Sequence, residues 1–393
     1  MILCITPHSL DDFILTTSAV AFDTEILYLS MHETLQDSSS SSQIPIKIDD
    51  NELLELQQSI LEAQYFDASS MAPLSAASIA ALAKLRSYKP PPFDSVWNHL
   101  PLSRRAAVLV LLFADRRGDL RVVITMRSST LRNFSGQAAF PGGKADSLSE
   151  TPFEIARREA SEEIGLPRYD HKIPTPFKIE HLCQLPFSLA RTSLAVRPCV
   201  AFLHAGDTTT GGEASVEGDM IPRLDAREVA AVFSAPFHNF LRTEDEVRKE
   251  DESLLPGKKS DWYSGAWHEW HDTKWRMHNF YVPITNQKVS KPKVREGGQA
   301  AIAEELDDQE EQGLTRYKVW GMTARILVDA ARIAYGEAPE FEHNAHVGDE
   351  GLIAKLQSTG HLGEKVSGRK DVTDANINDA RKEMKEEKSG AKI

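Results

Sequence analysis

Between Gly142 and Leu166 the chain reads Gly-Gly-Lys-Ala-Asp-Ser-Leu-Ser-Glu-Thr-Pro-Phe-Glu-Ile-Ala-Arg-Arg-Glu-Ala-Ser-Glu-Glu-Ile-Gly-Leu, a glycine turn followed by a helix rich in carboxylates. Local rules define that helix at both ends. Thr151 is an N-cap, Pro152 occupies the first helical position where its missing N–H costs nothing, and Glu154 completes a capping box. Gly165 and then Pro167 stop it, giving about three and a half turns. At about 100° per residue, Phe153, Ala156, Ala160 and Ile164 form one stripe that must face a core. Glu159 and Glu163 stack beside the stripe, and Glu162 lies one step round the cylinder. Like charges so placed repel. A hard divalent cation, magnesium or manganese, relieves the repulsion, because all the donors are carboxylate oxygens. A solvated acidic face is the other reading of Arg-Glu-x-x-Glu-Glu; the glycine turn and the helix stop at these spacings argue against it.

The turn and helix together are the signature by which the chain resembles the Nudix hydrolases. The family pattern has one residue fewer between its glycine and first glutamate than the six, Lys144 to Ser149, that separate Gly143 from Glu150. The extra residue falls in the loop before the helix, where insertions are tolerated. It sets Glu150 apart and leaves Glu159, Glu162 and Glu163 as the metal-binding candidates. Upstream, Val123-Ile-Thr-Met-Arg-Ser-Ser-Thr-Leu-Arg-Asn-Phe-Ser-Gly-Gln-Ala-Ala-Phe-Pro-Gly-Gly143 resembles the element that marks the coenzyme A diphosphatase branch of that family. Only the two leading leucines of the element are replaced, by Val123 and Ile124.

The resemblance implies an α/β fold, the Nudix α/β/α sandwich with a mixed sheet. It also implies metal-dependent hydrolysis of the diphosphate of coenzyme A or its acyl forms, giving 3′,5′-ADP and 4′-phosphopantetheine. In that scheme Glu159, Glu163 and Glu162 hold the cation, Glu162 is the preferred general base, and Arg158 orients the carboxylates. Arg127 and Arg132, after an apolar strand and around a Ser-Gly turn, present guanidinium forks to phosphate, or pair instead with nearby carboxylates. Gly142 and Gly143 line the substrate. Glu228, opening a strand, is a further metal-ligand candidate, with an exposed strand-edge glutamate as the favoured reading. Two other functions stay open: a pyrophosphatase acting on NADH, ADP-ribose or oxidised nucleotides, and a nucleotide-binding or scaffold protein without turnover.

Composition sets the surroundings. With 393 residues, 41% of them hydrophobic and 26% charged, the chain can bury one good core and still carry extensions. Its net charge of -13 argues against nucleic-acid binding through a basic surface. Cys4, Cys183 and Cys199 are too scattered for a disulfide framework, so all three are expected as free thiols. The best apolar run, Ala106 to Ala114, has the length of a buried strand and not of a membrane span. Ala391-Lys392-Ile393 resembles a degenerate Ser-Lys-Leu peroxisomal address, and the branch includes peroxisomal enzymes. A peroxisomal import receptor is therefore an expected partner, with cytoplasm or mitochondrion as alternative locations.

Residues 1–72 read as an extension, 73–340 as the catalytic domain and 341–393 as a polar, poorly ordered tail. In the extension, Ser38 to Ser42 form a low-complexity break, and Asn51 to Tyr65 reads as an isolated amphipathic helix. Ser75 to Ser87 predicts a helix presenting Ile79, Leu82 and Leu85, and Pro90 to Pro92 form a stiff link. Strands are predicted at Ala106–Phe113, Arg121–Met126, Arg197–Leu203, Val229–Phe233 and Arg276–Val282, and a helix at Tyr317–Tyr335. Charged insertions near 242–262 and 287–314 are expected to be mobile. The segment Trp267 to His278 is dense in rings and histidines. His268 with His271 raises zinc, but an aromatic loop or hairpin near the substrate mouth, or packing against the first insertion, is the favoured reading.

Overall fold

Strand β1 (Arg105–Ala114) explains the architecture. Its residues are apolar on both faces, the pattern of a strand covered from two sides. Ala107, Leu109, Leu111 and Phe113 enter one core cluster, and Val110 and Leu112 enter the other. The computed structural model describes residues 74–390 apart from 93, 116, 129–135, 175–176, 206–228, 271–272, 286, 288, 290, 292–313 and 365–371. The predictions for residues 1–72, Arg132, Glu228, most of 287–314 and Ala391-Lys392-Ile393 lie outside them.

Around β1 the sheet runs β2 (Leu120–Arg127), β3 (Ala138–Ala139), β4 (Gly142–Lys144), β5 (Phe177–Gln184), β6 (Ser188–Leu189), β7 (Ala195–Ala205) and β8 (Val229–Pro236) in chain order. The spatial order is β3-β2-β1-β7-β5, with β4 on β1, β6 on β7 and β8 on β2. β1 and β7 are parallel and the other pairs antiparallel, so the sheet is mixed. A second sheet, β11-β10-β9, joins β9 (Tyr263–Trp270), β10 (Thr273–Pro283) and β11 (Arg316–Trp320). The helices are α1 (Ala76–Ser87), α2 (Asp94–His99), α3 (Pro152–Ile164), α4 (Gly321–Tyr335), α5 (Glu350–Ser358) and α6 (Asp374–Gly390). One face of the large sheet packs against α3, α5 and α6, the other against α1, α4 and the second sheet. This is the α/β/α sandwich expected.

Several expectations change. The helix predicted over Tyr317–Tyr335 begins only at Gly321, because Tyr317 to Trp320 pair with β10 and Tyr317 and Val319 enter the core. Ile79 is 55% exposed, and α1 instead buries Ser78, Ala81, Leu82 and Leu85. The insertion near 242–262 is pinned. Arg316 holds Asp245 at 2.8 Å, both side chains buried, and the fully buried Trp262 donates its indole N–H to Asn239 O at 3.0 Å. Charges that suggested mobility are used in pairing. The tail expected from 341 is not loose either: Leu352, Ile353, Leu356, Leu362 and Ile377 belong to the same core cluster as Ile155 and Ala156 of α3.

Candidate active site

Helix α3 forms as its local sequence dictates. Thr151 caps it by accepting from Glu154 N, the Glu154 carboxylate accepts from Thr151 N at 2.8 Å, and Gly165 ends it in the left-handed conformation at φ 72°. Ala156, Ala160 and Ile164 are fully buried, and Phe153 packs at the edge of the core, stacked 4.1 Å from His181. This stripe fixes the rotation of the helix and turns Glu159 and Glu163 toward β4.

Strand β4 brings the glycines to meet them. Gly142 and Gly143 pair with Val108 and Ala107 of β1, and Gly142 N–H donates to Glu163 Oε2 at 3.0 Å. A Cβ on Gly143 would overlap the Glu159 carboxylate, and one on Gly142 would strike the backbone of β1. The double glycine is therefore a clearance that lets backbone and carboxylates close on one another.

Arg158 ties the cluster together. Its guanidinium lies 2.9 Å from Glu150, 3.0 Å from Glu159, 3.3 Å from Asp146 and 3.4 Å from Glu162, and it donates to Lys144 O at 2.7 Å. Burial opposes its charge, but the hydrogen bonds and fields of Glu150 and Glu159 outweigh that and hold its pKa above the ordinary arginine value. Burial likewise pushes Glu150 up, yet Arg158 and the N–H groups of Asp146 and Ser147 bring it below the usual carboxylate range. The extra residue in the Lys144–Ser149 loop does not remove Glu150 from the cluster, since Arg158 and two loop amides hold it there. Asp146 was missed; its only signal in the sequence was its place inside that loop.

Each expected site residue now has a place. Glu159 and Glu163 meet at the glycine turn, their side chains 15% and 4% exposed, while Glu162 stands outward at 60%. Arg127, at the end of β2, points its guanidinium at Glu163, 3.9 Å away, and its Nε has no hydrogen-bond partner among the described residues. Of the two roles open to Arg127, this loose contact is compatible with either. Among the described residues no group of three His, Cys, Asp or Glu side chains is gathered so as to hold a metal ion. The expected three-way convergence is absent because Arg158 holds Glu159, Gly142 N–H holds Glu163, and Glu162 faces outward. The chemistry of the donor set, carboxylate oxygens at i and i+4 beside a backbone cleared by glycine, still fits a hard divalent cation.

The chain is similar to several known proteins. A NUDIX domain profile matches residues 103–284, the stretch that holds β1, the glycine turn and α3. A protein of Saccharomyces cerevisiae named peroxisomal coenzyme A diphosphatase 1 is 31% identical over 68% of this chain and 79% of its own length. The chain belongs to the Nudix hydrolases. As a member of that family it is an enzyme that cleaves phosphoric anhydrides, and such enzymes generally require a divalent metal ion. Nudix hydrolase 15, mitochondrial, of Arabidopsis thaliana is 30% identical over 61% of this chain, and the match spans about three fifths, 61%, of the plant protein. Among solved structures, a C. elegans Ap4A hydrolase binary complex covers 34% of this chain and 81% of that one, at 18% identity and a TM-score of 0.24.

The Trp267–His278 segment belongs to a hairpin, β9 and β10, one of the alternatives expected for it. His271 lies outside the described residues. His278 is buried between Tyr263 and His343. Cys183 and Cys199 are free and buried; burial pushes the Cys183 thiol up to about 12 and raises Cys199 further. No described helix is long and apolar enough to cross a membrane.

Proposed function

We propose that the enzyme hydrolyses the diphosphate of coenzyme A or its acyl derivatives, releasing 3′,5′-ADP and 4′-phosphopantetheine or its acyl form. The observation that carries the substrate is the likeness to the yeast coenzyme A diphosphatase over 79% of that protein's length. The chemistry rests on the glycine turn closed against Glu159 and Glu163.

In this reading Glu159, Glu163 and Glu162 would hold magnesium or manganese, which would supply the charge that neutralises the diphosphate and polarises it toward attack. Glu162, the exposed carboxylate, accepts the proton of the attacking water. The water oxygen forms a bond to one phosphorus as the bridging P–O bond breaks, and the departing phosphate keeps the electron pair. Arg158 does not touch substrate; it is a positioning residue that fixes the rotamers of Glu159 and Glu162. Arg127 exchanges its long contact with Glu163 for a phosphate oxygen. The name of the yeast relative supports a peroxisomal setting, which fluorescence imaging of the tagged full chain tests.

A panel of coenzyme A, acyl-coenzyme A, NADH, ADP-ribose and oxidised dGTP, each with magnesium or manganese, tests the substrate. Coenzyme A and its acyl forms should show the highest kcat/KM. NADH or ADP-ribose ranking first would replace this function with the alternative one.

A further inference from the structure

The segment that follows the catalytic helix carries charge that the mechanism does not use. After Gly165 the chain turns back along α3, and the buried Arg157 clamps it there: Nη1 lies 3.2 Å from Asp170 Oδ1, and Nη2 donates to Pro167 O. Between those two anchors stand Arg168 and Tyr169, the arginine side chain 40% exposed and the tyrosine 49%. The Arg168 guanidinium carbon is 5.5 Å from the Tyr169 ring centroid and the Lys172 ammonium 5.7 Å from it, within cation–π range. Asp170 is taken by Arg157, so the segment displays positive charge on a protein whose net charge is -13.

This segment lies on the α3 side of the large sheet and is joined to the carboxylate cluster through a shared atom. Glu150 Oε1 is 2.9 Å from Arg158 Nε and 3.9 Å from Arg168 Nη2, and Arg158 Nη1 is 3.0 Å from Glu159 Oε1. Because a guanidinium is one rigid plane, these contacts place Arg168 Nη2 at most about 12 Å from the Glu159 carboxylate. Glu150 is already held by Arg158 and by the N–H groups of Asp146 and Ser147. A contact of 3.9 Å is too long for a hydrogen bond, so Glu150 steadies Arg168 without satisfying its fork.

We propose that Arg168, oriented by the Tyr169 ring and assisted by the charge of Lys172, binds the 3′-phosphate of the substrate, an inference that rests on the coenzyme A reading above. In coenzyme A that phosphate sits on the same ribose whose 5′-oxygen enters the diphosphate. A cation–oxygen contact of about 2.1 Å at the diphosphate and a charge-assisted hydrogen bond of about 2.8 Å at the 3′-phosphate, with the ribose between them, bridge the distance from Glu159 to Arg168. The 3′-phosphate distinguishes coenzyme A from its dephosphorylated form and from NADH and ADP-ribose.

The test compares ratios in the full-length protein, in Arg168→Ala and in Arg168→Lys. Calorimetry measures the affinity for adenosine 3′,5′-bisphosphate against that for 5′-AMP. Turnover with magnesium measures kcat/KM for coenzyme A against dephospho-coenzyme A. Wild type should prefer the 3′-phosphorylated compound in both. Arg168→Ala should lower each preference about tenfold, the effect of losing one charge-assisted contact. Arg168→Lys, which keeps the charge without the fork, should lower it about threefold. An arginine that only steadied Glu150 would change turnover of both substrates by the same factor and leave both ratios in place. Urea midpoints matching wild type show that the variants are folded. Ratios unmoved by Arg168→Ala, or a wild-type protein that binds the bisphosphate no better than 5′-AMP, overturn the subsite. Coenzyme A still hydrolysed best in that case leaves the proposed function standing and removes only the subsite. A substrate panel led by NADH removes the function, and the affinity ratio still decides the subsite.

Discussion

Two helical arginines gather carboxylates in opposite ways. Arg158 on α3 has four of them, Asp146, Glu150, Glu159 and Glu162, within 3.4 Å, with the outer members 71% and 60% exposed. Arg325 on α4 is buried, grips Asp349 through two nitrogens at 2.9 to 3.2 Å, and lies 3.9 Å from Asp329. Asp349 also accepts from Leu189 N, and Asp329 from His343 Nε2 at 2.9 Å. With Asp329 ionised, the polarity runs from the Tyr263 hydroxyl to His278 Nδ1, from His278 Nε2–H to His343 Nδ1, and from His343 Nε2–H to Asp329. Burial first, then His343, Arg276 and Arg325, push His278 down to about 3, so it is neutral at physiological pH. The first network has surplus negative charge and an open rim; the second is sealed and close to balanced. Surplus charge at a rim invites a cation and a polyanionic substrate, whereas balanced buried charge fixes the positions of α4, α5 and the second sheet.

Substitutions can break this contrast. The largest effect belongs to Glu163→Gln, which keeps the acceptor for Gly142 N–H but removes the charge. Activity should fall by at least about a thousandfold, equivalent to about 4 kcal/mol, while the urea midpoint hardly moves. Retained activity would remove Glu163 from the site. Arg325→Met should do the reverse: it leaves Asp349 buried and unpaired, lowering stability by about 3 to 5 kcal/mol in urea unfolding, with kcat of the folded fraction near wild type. A variant that stays stable but loses turnover would make the second network catalytic.

Arg158→Lys sharpens the first half of the comparison. A lysine keeps the charge but cannot reach Glu150, Glu159 and Lys144 O together, so kcat should drop about 10- to 100-fold with KM little changed. The last prediction concerns pH, and its effect is small near neutrality. His278 has a depressed pKa in the folded protein, so its contribution to stability is complete above its unfolded value near 6.5 and is lost as pH falls below that. Between about pH 5.5 and 4 the loss runs at about 1.4 kcal/mol per pH unit for this one proton and levels off near pH 3, and His278→Gln should flatten the wild-type slope of unfolding free energy by that proton alone. An unchanged slope would show that His278 is not the group that titrates.

How much of this was legible differed between the two networks for the same physical reason. Helix α3 is written in short-range terms: a cap, a proline, a glycine and a stripe, each acting within four residues. The helix and the approach of Glu159 and Glu163 to the glycine turn could therefore be read directly. The place of Glu150 could not, because loop length alone does not say which side chain pulls the loop back, and Arg158 does. Strand β5 escaped notice because Lys178, Glu180 and His181 interrupt its apolar residues, although Phe177 and Ile179 alternate with them in the strand period. Residues Tyr317 to Trp320 continue a helical pattern and became strand through pairing with β10, which lies far away in sequence. Asp349 and His343 carried no signal, since their partners come from α4, β6 and β10 and meet only in the folded chain.

The packing of α5 sets where this gene can be cut. Leu352, Ile353 and Leu356 share a core with Ile155, Ala156 and Ala160 of the catalytic helix, and Asp349 N–H donates to Phe187 O. An expression fragment ending at residue 284, where the domain match stops, lacks β11, α4 and α5. One ending at 340 keeps α4 but exposes the floor beneath α3 and leaves Arg325 without Asp349. Both fragments carry every residue assigned to catalysis, and neither carries the support that holds those residues in place.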